Sequence, residues 1–357
     1  MQDKALRGWL YWRSRPRLVM ASLERLKIPR HCNLERLDPG KVRVAAVQVT
    51  LELIGSAEEY VVKMARPALC AAEQGAQLVV YPEDIATHLL GLLPGFDQLV
   101  NRSHSLDGAL RELGGEGLKV ADVFALVGPA MRRIYLATFS SLARKLGIYV
   151  VAGSAVLPSV ESKTKGVYNI AHLFGPDGRL IGRQPKTHLL PLEAAWGLRA
   201  GDTLRVFDTS LGRIAMPVCM DATYFETFRI LALLGAEIVA LPVANPEPYN
   251  FWKALRGIWP RVQESQVYGI QSCLVGEFLG LKLTGKSGIF APLELTDKRD
   301  GVIAQIEDPT AEGVVVADLD LVRLRQFRRE NPLDAAFNLA LYSKYFPGIY
   351  YGEHACG

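Results

Sequence analysis

The chain has 357 residues, of which 49% are hydrophobic and 22% charged, with a formal net charge of +4. That balance is the one expected of an ordinary globular protein rather than a disordered chain, and so small a charge does not predict a nucleic-acid binder. Five cysteines, Cys32, Cys70, Cys219, Cys273 and Cys356, with no C-x-x-C pair, argue against a disulfide framework and a thiolate zinc site, so a reducing compartment, the cytoplasm, is expected.

Residues 1 to 40 form a basic amphipathic extension. Leu6, Trp9, Leu10, Trp12, Leu18 and Leu23 alternate with arginines, and Pro16 divides the stretch into two short helices. One reading is an anchor to a membrane surface or a partner. The other, preferred here because Trp and Arg also populate protein interfaces, is a helix pair packed on the body or on a second subunit. Arg13, Arg15 and Arg17 interrupt the apolar residues, so neither a signal peptide nor a membrane span is expected.

A single domain of mixed strands and helices is expected over 41 to 330. Val42 to Val49 suits a buried strand. Ser56 and Glu59 have capping-box spacing for a helix ending near Gly75. Gln77 to Tyr81 is a short strand stopping at Pro82-Glu83. Residues 86 to 128, punctuated by Pro94-Gly95 and Gly114-Gly115, read as an insertion with one or two helices. A helix from Met131 to Leu146 leads to a strand at Ile148 to Ala152. Strands at Tyr168 to Phe174 and Leu180 to Lys186 flank the turn Gly175-Pro176-Asp177-Gly178.

Arg213 to Cys219 reads as a strand, Thr223 to Leu234 as a helix and Glu237 to Pro242 as a strand. A helix from Phe251 to Val267 precedes strands at Gly269 to Gly276, Ser287 to Ala291, Val302 to Ile306 and Gly313 to Leu319, and a last helix from Leu321 to Arg329. Residues 331 to 357, rich in Tyr and Phe, read as a tail that packs onto something. Strands joined by both helices and hairpins imply an α/β fold: an αββα sandwich of two mixed β-sheets flanked by helices.

Three strand ends carry reactive groups. Cys219 closes an apolar strand and precedes a helix, where helix amides would lower the thiol pKa. A buried inert cysteine is the alternative. Glu83 and Lys186 end two other strands. If the three ends share one edge, carboxylate, ammonium and thiol meet in the crevice where α/β proteins place active sites.

These residues resemble the nitrilase superfamily of carbon–nitrogen hydrolases, whose catalytic Glu, Lys and Cys follow that chain order. Tyr81-Pro82-Glu83, Lys186-Thr187-His188-Leu189 and Cys219-Met220-Asp221 through Phe225-Glu226, after Gly212-Arg213-Ile214, match its three motifs. Arg261, Glu264 and Gly285-Lys286-Ser287 match supporting stretches, and the resemblance spans Val42 to Arg329. Phe225 stands where the family usually has Pro, Tyr224 where it has Phe, and Pro185 precedes the lysine where a basic residue is common.

The resemblance implies a metal-independent, cofactor-free hydrolase. Glu83 would be the general base, Cys219 the nucleophile, Lys186 and the backbone N–H of Met220 the oxyanion donors, and Glu193 a second carboxylate supporting the lysine. Tyr224, Asn245 and Trp252 would lie near the acyl pocket. Asp221 would orient the turn after the cysteine and His188 would be structural. Cys-Met-Asp in place of the Cys-Trp-Glu usual in true nitrilases points to an amide or carbamoyl substrate rather than a nitrile. A catalytically silent scaffold relative is the rival, as is acyl transfer, though lipid-transferring relatives need transmembrane helices. A homodimer or larger homo-oligomer is also implied, with the tail around Tyr342, Tyr345, Phe346, Tyr350 and Tyr351 as a contact.

Overall fold

The computed structural model describes residues 2–26, 28, 40–103, 105–114, 117–159 and 166–351. Cys32, Cys356 and the adjoining parts of the extension and tail lie outside the described residues.

The first six-stranded sheet uses β1 (Lys41–Thr50), β2 (Leu78–Val80), β3 (Tyr149–Pro158), β4 (Val167–Phe174) and β5 (Leu180–Pro185), with a late strand, Gly313–Asp320, on the far side of β1. β1, β2 and β3 are parallel, and the remaining pairs are antiparallel. The second sheet repeats this arrangement with β6 (Val206–Thr209), β7 (Gly212–Ala215), β8 (Ile238–Val243), β9 (Tyr268–Phe278), β11 (Gly288–Phe290) and β12 (Val302–Gln305); the short β10 (Leu281–Leu283) folds back on the end of β9, and the Gly313–Asp320 strand is β13. The two sheets are stitched along one seam, where Val49 and Thr50 of β1 pair with Leu274 and Val275 of β9.

Val44, Ala46, Leu78 and Val80 of the first sheet share one apolar cluster with Ile238, Ala240 and Ile270 of the second, the inner layer of the sandwich. Full burial of such a side chain contributes roughly 1.5–3 kcal/mol. Helices α1 (Gln2–Arg13), α2 (Pro16–Arg25), α3 (Ala57–Glu73) and α6 (Val120–Leu146) belong to the layer over the outer face of the first sheet. The outer face of the second is covered by α8 (Phe225–Leu233) and α10 (Ile258–Ser265). The expected αββα sandwich is therefore present.

The terminal helices divide at Pro16 as expected, and their buried face, Leu10, Val19 and Leu23, joins the main core beside α3 and α6. Their other face leaves Trp9, Tyr11 and Trp12 exposed. No helix among the described residues is long and apolar enough to cross a membrane.

Several element boundaries differ from expectation, among them β3, which runs on to Pro158 rather than stopping at Ala152. The insertion holds a 3-10 turn (Thr87–Leu92), α4 (Phe96–Arg102), α5 (Leu106–Gly114) and the start of α6, which begins at Val120 rather than Met131. Pro129 is tolerated inside α6 because Val120, Phe124 and Val127 are buried against the core and offset the lost backbone bond. β7 stops at Ala215, short of Cys219, since Pro217 has no N–H for the ladder. The stretch after Phe251 is two helices, α9 (Phe251–Ala254) and α10, because Gly257 adopts φ −86°, ψ −133° between them. Between β5 and β6 lies the one-turn α7 (Pro191–Ala195), and after β13 comes α11 (Leu321–Glu330).

The tail folds as a helix, α12 (Leu339–Tyr350), with none of its residues buried. It touches α8: the Tyr350 hydroxyl donates to Glu226, and Arg229 sits 4.6 Å over the Phe337 ring.

Candidate active site

Glu83 lies three residues past β2, and its approach is fixed by the chain beside it. The Tyr81 hydroxyl anchors to the Met64 carbonyl at 2.5 Å in the main core. Gly153 of β3, at φ +66°, lets the Pro82 carbonyl come so close that a Cβ there would sit 1.9 Å from it. The next residue, Ser154, then bonds back to the Glu83 turn, its N–H donating to Pro82 O at 3.2 Å and its carbonyl accepting from Ile85 N at 2.9 Å. Only glycine allows that approach without strain.

Lys186 follows β5, held by its N–H to the Asn169 carbonyl at 2.8 Å. Its Nζ donates to Glu83 Oε1 at 2.8 Å and to the Glu193 carboxylate at 2.7 Å. Glu193 sits in α7 and is itself fixed by the Leu190 N–H at 2.8 Å. Glu83, Lys186 and Glu193 are all buried. Glu83 Oε1 also accepts from Asn169 Nδ2 at 2.9 Å, while Oε2 accepts from the Ala244 N–H at 2.8 Å.

Cys219 opens a 3-10 turn (Cys219–Thr223) beyond β7. Its φ of +45° places a non-glycine residue in the left-handed region. Such a conformation costs of order 1–3 kcal/mol and clusters at functional sites. The thiol lies within electrostatic reach of Glu83 and of the Ala244 N–H, which push its pKa in opposite directions. The turn is clamped by Asp221, fully buried, which accepts from Val218 N at 2.9 Å, His188 N at 2.7 Å and Thr187 Oγ1 at 2.7 Å. Arg261 adds a bond from Nε to the Ala222 carbonyl at 3.1 Å and pairs with Glu264 at 2.5 Å.

The electrostatics differ from expectation at the cysteine. Its thiol pKa is raised, not lowered, first by burial and then by the charge on Glu83, with Lys186 opposing. A turn this short gives little helix field, and a buried site penalises the thiolate. Burial also pushes Glu83 up, against the pull of Lys186. For Lys186 burial lowers the pKa, but the carboxylates and thiol around it outweigh burial and hold the ammonium charged. The resting state is thus a neutral thiol beside a carboxylate that can take its proton.

Two cavities meet at this cluster, with Leu190 and Pro246 lining both. One, of about 100 Å³, is lined by Glu83, Asp84, Lys186, Glu193 and Thr87 and otherwise by apolar side chains. The other, of about 320 Å³, is a cleft of mixed polar and apolar lining that includes Cys219, Met220 and Asn245. Met220 is therefore beside the nucleophile and Asn245 near it. Trp252 is 75% exposed and lines neither cavity. Tyr224 is also outside both walls, its ring stacked on His188 at 4.5 Å. His188 is held by Asp221, with Nδ1 at 2.9 Å, away from the thiol's partners. Among the described residues no group of three His, Cys, Asp or Glu is placed to hold a metal ion.

Three contributors escaped the sequence reading. Asn169 was detectable as a lone amide within the apolar strand Tyr168 to Phe174. The Ala244 N–H has no side-chain signature. Asp84 sits at φ +56° next to Glu83, its Oδ1 buried without a partner and its pKa raised well above the usual range by burial and then by the Glu83 charge.

A family model for carbon-nitrogen hydrolases matches residues 43–329. The chain is 32% identical over 300 residues to a probable hydrolase, YhcX, of Bacillus subtilis, an alignment covering 81% of this chain and 52% of that protein. The chain thus spans about half the length of that relative. It is 31% identical over 297 residues to a nitrilase of Pyrococcus abyssi, covering 83% of this chain and 96% of the relative. Among solved structures, Saccharomyces cerevisiae Nit3, a member of branch 10 of the nitrilase superfamily, superposes with a TM-score of 0.59 at 21% identity, over 83% of this chain and 96% of that one.

Proposed function

This chain belongs to the carbon–nitrogen hydrolase family, and from that membership we propose that it hydrolyses an amide- or carbamoyl-type C–N bond through a thioester on Cys219. The observation that carries the reading is Glu83: one buried carboxylate bonded at once to the Lys186 ammonium at 2.8 Å and the Ala244 N–H at 2.8 Å, with its charge acting on the Cys219 thiol.

Glu83 takes the thiol proton as the sulfur attacks the carbonyl carbon. The C–S bond forms, and the oxygen's developing charge is met by Lys186 and the Met220 N–H. Collapse breaks the C–N bond, with the proton returned from Glu83 to the departing nitrogen. Water then gives its proton to Glu83 and adds to the thioester, and the thiol is regenerated with release of the acid. Glu193 keeps the lysine charged and aimed. The left-handed turn at Cys219 supports the same reading, because it presents the sulfur at the sheet edge without a helix to stabilise a free thiolate.

A nitrile is the second reading, favoured by the relative from P. abyssi that is called a nitrilase; Cys219-Met220-Asp221 speaks for the amide. A cytoplasmic homodimer or larger assembly belongs to the same proposal, supported by exposed Leu339, Tyr345 and Ile349 on α12. Ammonia or amine release from a panel of amides, carbamoyl compounds and nitriles, comparing the wild type with Cys219→Ala, tests it. Turnover of amides that disappears in Cys219→Ala is expected, whereas turnover confined to nitriles overturns the amide reading. Light scattering that finds a monomer overturns the assembly.

A further inference from the structure

The two cavities at the reactive cluster differ in the charge they present, and both sides of a scissile amide need a place. The first is a chamber to which the insertion contributes one wall. Phe96 of α4, Leu106 and Ala109 of α5, Phe124 of α6 and Phe278 and Leu281 of the β9–β10 hairpin face it. Among the described residues of its wall the sole basic side chain is Lys186, already shared by Glu83 and Glu193. A carboxylate or a sugar placed there would lose its water with no counter-charge. An alkyl chain would lose nothing.

The second cavity holds Cys219 and is cationic. Lys253 and Arg256 share the single carboxylate Glu247, at 2.6 and 3.3 Å. Lys286 lies 5.1 Å over the Tyr249 ring, and no ion pair holds it among the described residues. Three cations against Glu247 in the wall, with Asp308 outside it drawing on Lys286, leave the cleft with a positive excess where a leaving amine would emerge.

We propose that the substrate is an N-acyl amine with an apolar acyl chain of several carbons and an anionic group on the amine, an N-acyl amino acid in chemical class. The acyl chain occupies the first chamber, the carbonyl carbon sits against the Cys219 sulfur, and the carboxylate of the amine part faces Lys286 and the Lys253–Arg256 pair. The C–S bond forms, collapse of the adduct then breaks the acyl C–N bond, the amino acid leaves with the proton from Glu83, and water releases the fatty acid. This inference rests on the hydrolase reading above and adds its substrate.

The test measures kcat/KM for acid release from N-decanoylglycine, N-ethyldecanamide and N-acetylglycine by the full-length wild type, Cys219→Ala, Ala109→Phe and Lys286→Gln. Each methylene buried in the chamber is worth about fourfold, so N-decanoylglycine should exceed N-acetylglycine by on the order of a hundredfold or more. N-decanoylglycine should also exceed its neutral counterpart N-ethyldecanamide, with a ratio that shrinks as salt rises and in Lys286→Gln. Ala109→Phe should reduce the ratio of decanoyl to acetyl turnover. Cys219-dependent turnover of the acetyl substrate equal to or above the decanoyl one overturns the chain assignment, and no preference for the anion overturns the head-group assignment, with the hydrolase reading intact in both cases. No Cys219-dependent turnover of any of the three, together with none across the amide, carbamoyl and nitrile panel, overturns the hydrolase reading and this inference with it.

Discussion

The Thr187 hydroxyl donates to the buried Asp221 carboxylate at 2.7 Å, which joins the residue after the lysine to the residue two beyond the cysteine. The same carboxylate takes the His188 and Val218 N–H groups, so one charge sets the spacing of the ammonium loop and the nucleophile turn.

Asp221→Asn keeps the shape and removes that charge. A charge-assisted hydrogen bond is worth about 1.5–3 kcal/mol, and a stability loss of that order is expected in urea titration. Turnover should fall on the order of tenfold to a hundredfold through misplacement of Cys219, with the fold retained by circular dichroism.

Lys186 and His188 separate the two roles a basic group could have here. Lys186→Ala should abolish turnover, because it removes the oxyanion donor and leaves Glu83 and Glu193 facing one another; losing one such donor costs on the order of a hundredfold or more. His188→Ala should keep measurable turnover, since the ring bonds Asp221 and stacks on Tyr224. Steady-state assays of both variants decide it, and the opposite ranking would reject the assignment.

The acid limb of kcat/KM belongs to Glu83, which must be ionised to accept the thiol proton. Burial raises its pKa above the ordinary carboxylate range, so activity should rise with pH through a midpoint above that of a solvated Glu. A limb at or below the solvated value would exclude Glu83 as the base.

Two buried histidines, His88 and His172, are held neutral, each lowered to about 3 mainly by burial. Both regain a proton on unfolding once the pH drops below about 6.5. Their contribution to stability is therefore complete above that value and declines as pH falls from about 6.5 towards 3, by roughly 1.4 kcal/mol per unit for each. Denaturant midpoints measured between pH 7 and pH 5 should show this slope, and His172→Gln should make it shallower.

Gly153→Ala puts a methyl group 1.9 Å from the Pro82 carbonyl at φ +66°. The chain must move apart where it delivers Glu83. A loss of about 3 kcal/mol or more is expected from this mechanism class, together with activity lost at temperatures where the variant remains folded. Melting curves paired with assays across temperature measure both.

Most of the sheets could be read from the chain because their strands are short apolar runs with clear stops, such as Leu78–Val80 before Pro82. Glu83, Lys186 and Cys219 each follow such a stop, which is why position and residue type together singled them out. The misjudged boundaries have a common cause. The start of α6 and the end of β7 were decided by tertiary burial and by a single missing N–H, neither of which periodicity registers. The thiol pKa was misjudged for a related reason: sequence gives the neighbouring turn but not the depth at which the sulfur is buried. Trp252 and Tyr224 were assigned by their place in the order of segments, yet which way a surface ring turns depends on contacts such as that between Tyr224 and His188.

Glu83 and Lys186 extend from strands of the first sheet, while Cys219 and Ala244 extend from strands of the second, and the strand pairing between the two halves runs through Val49–Leu274 and Thr50–Val275. Neither half alone contains an acid–base–nucleophile set. Catalysis is consequently a readout of how the halves are docked: a slip along that seam would silence the protein while leaving each half's backbone signal nearly intact, so turnover would disappear ahead of circular dichroism during gradual denaturation.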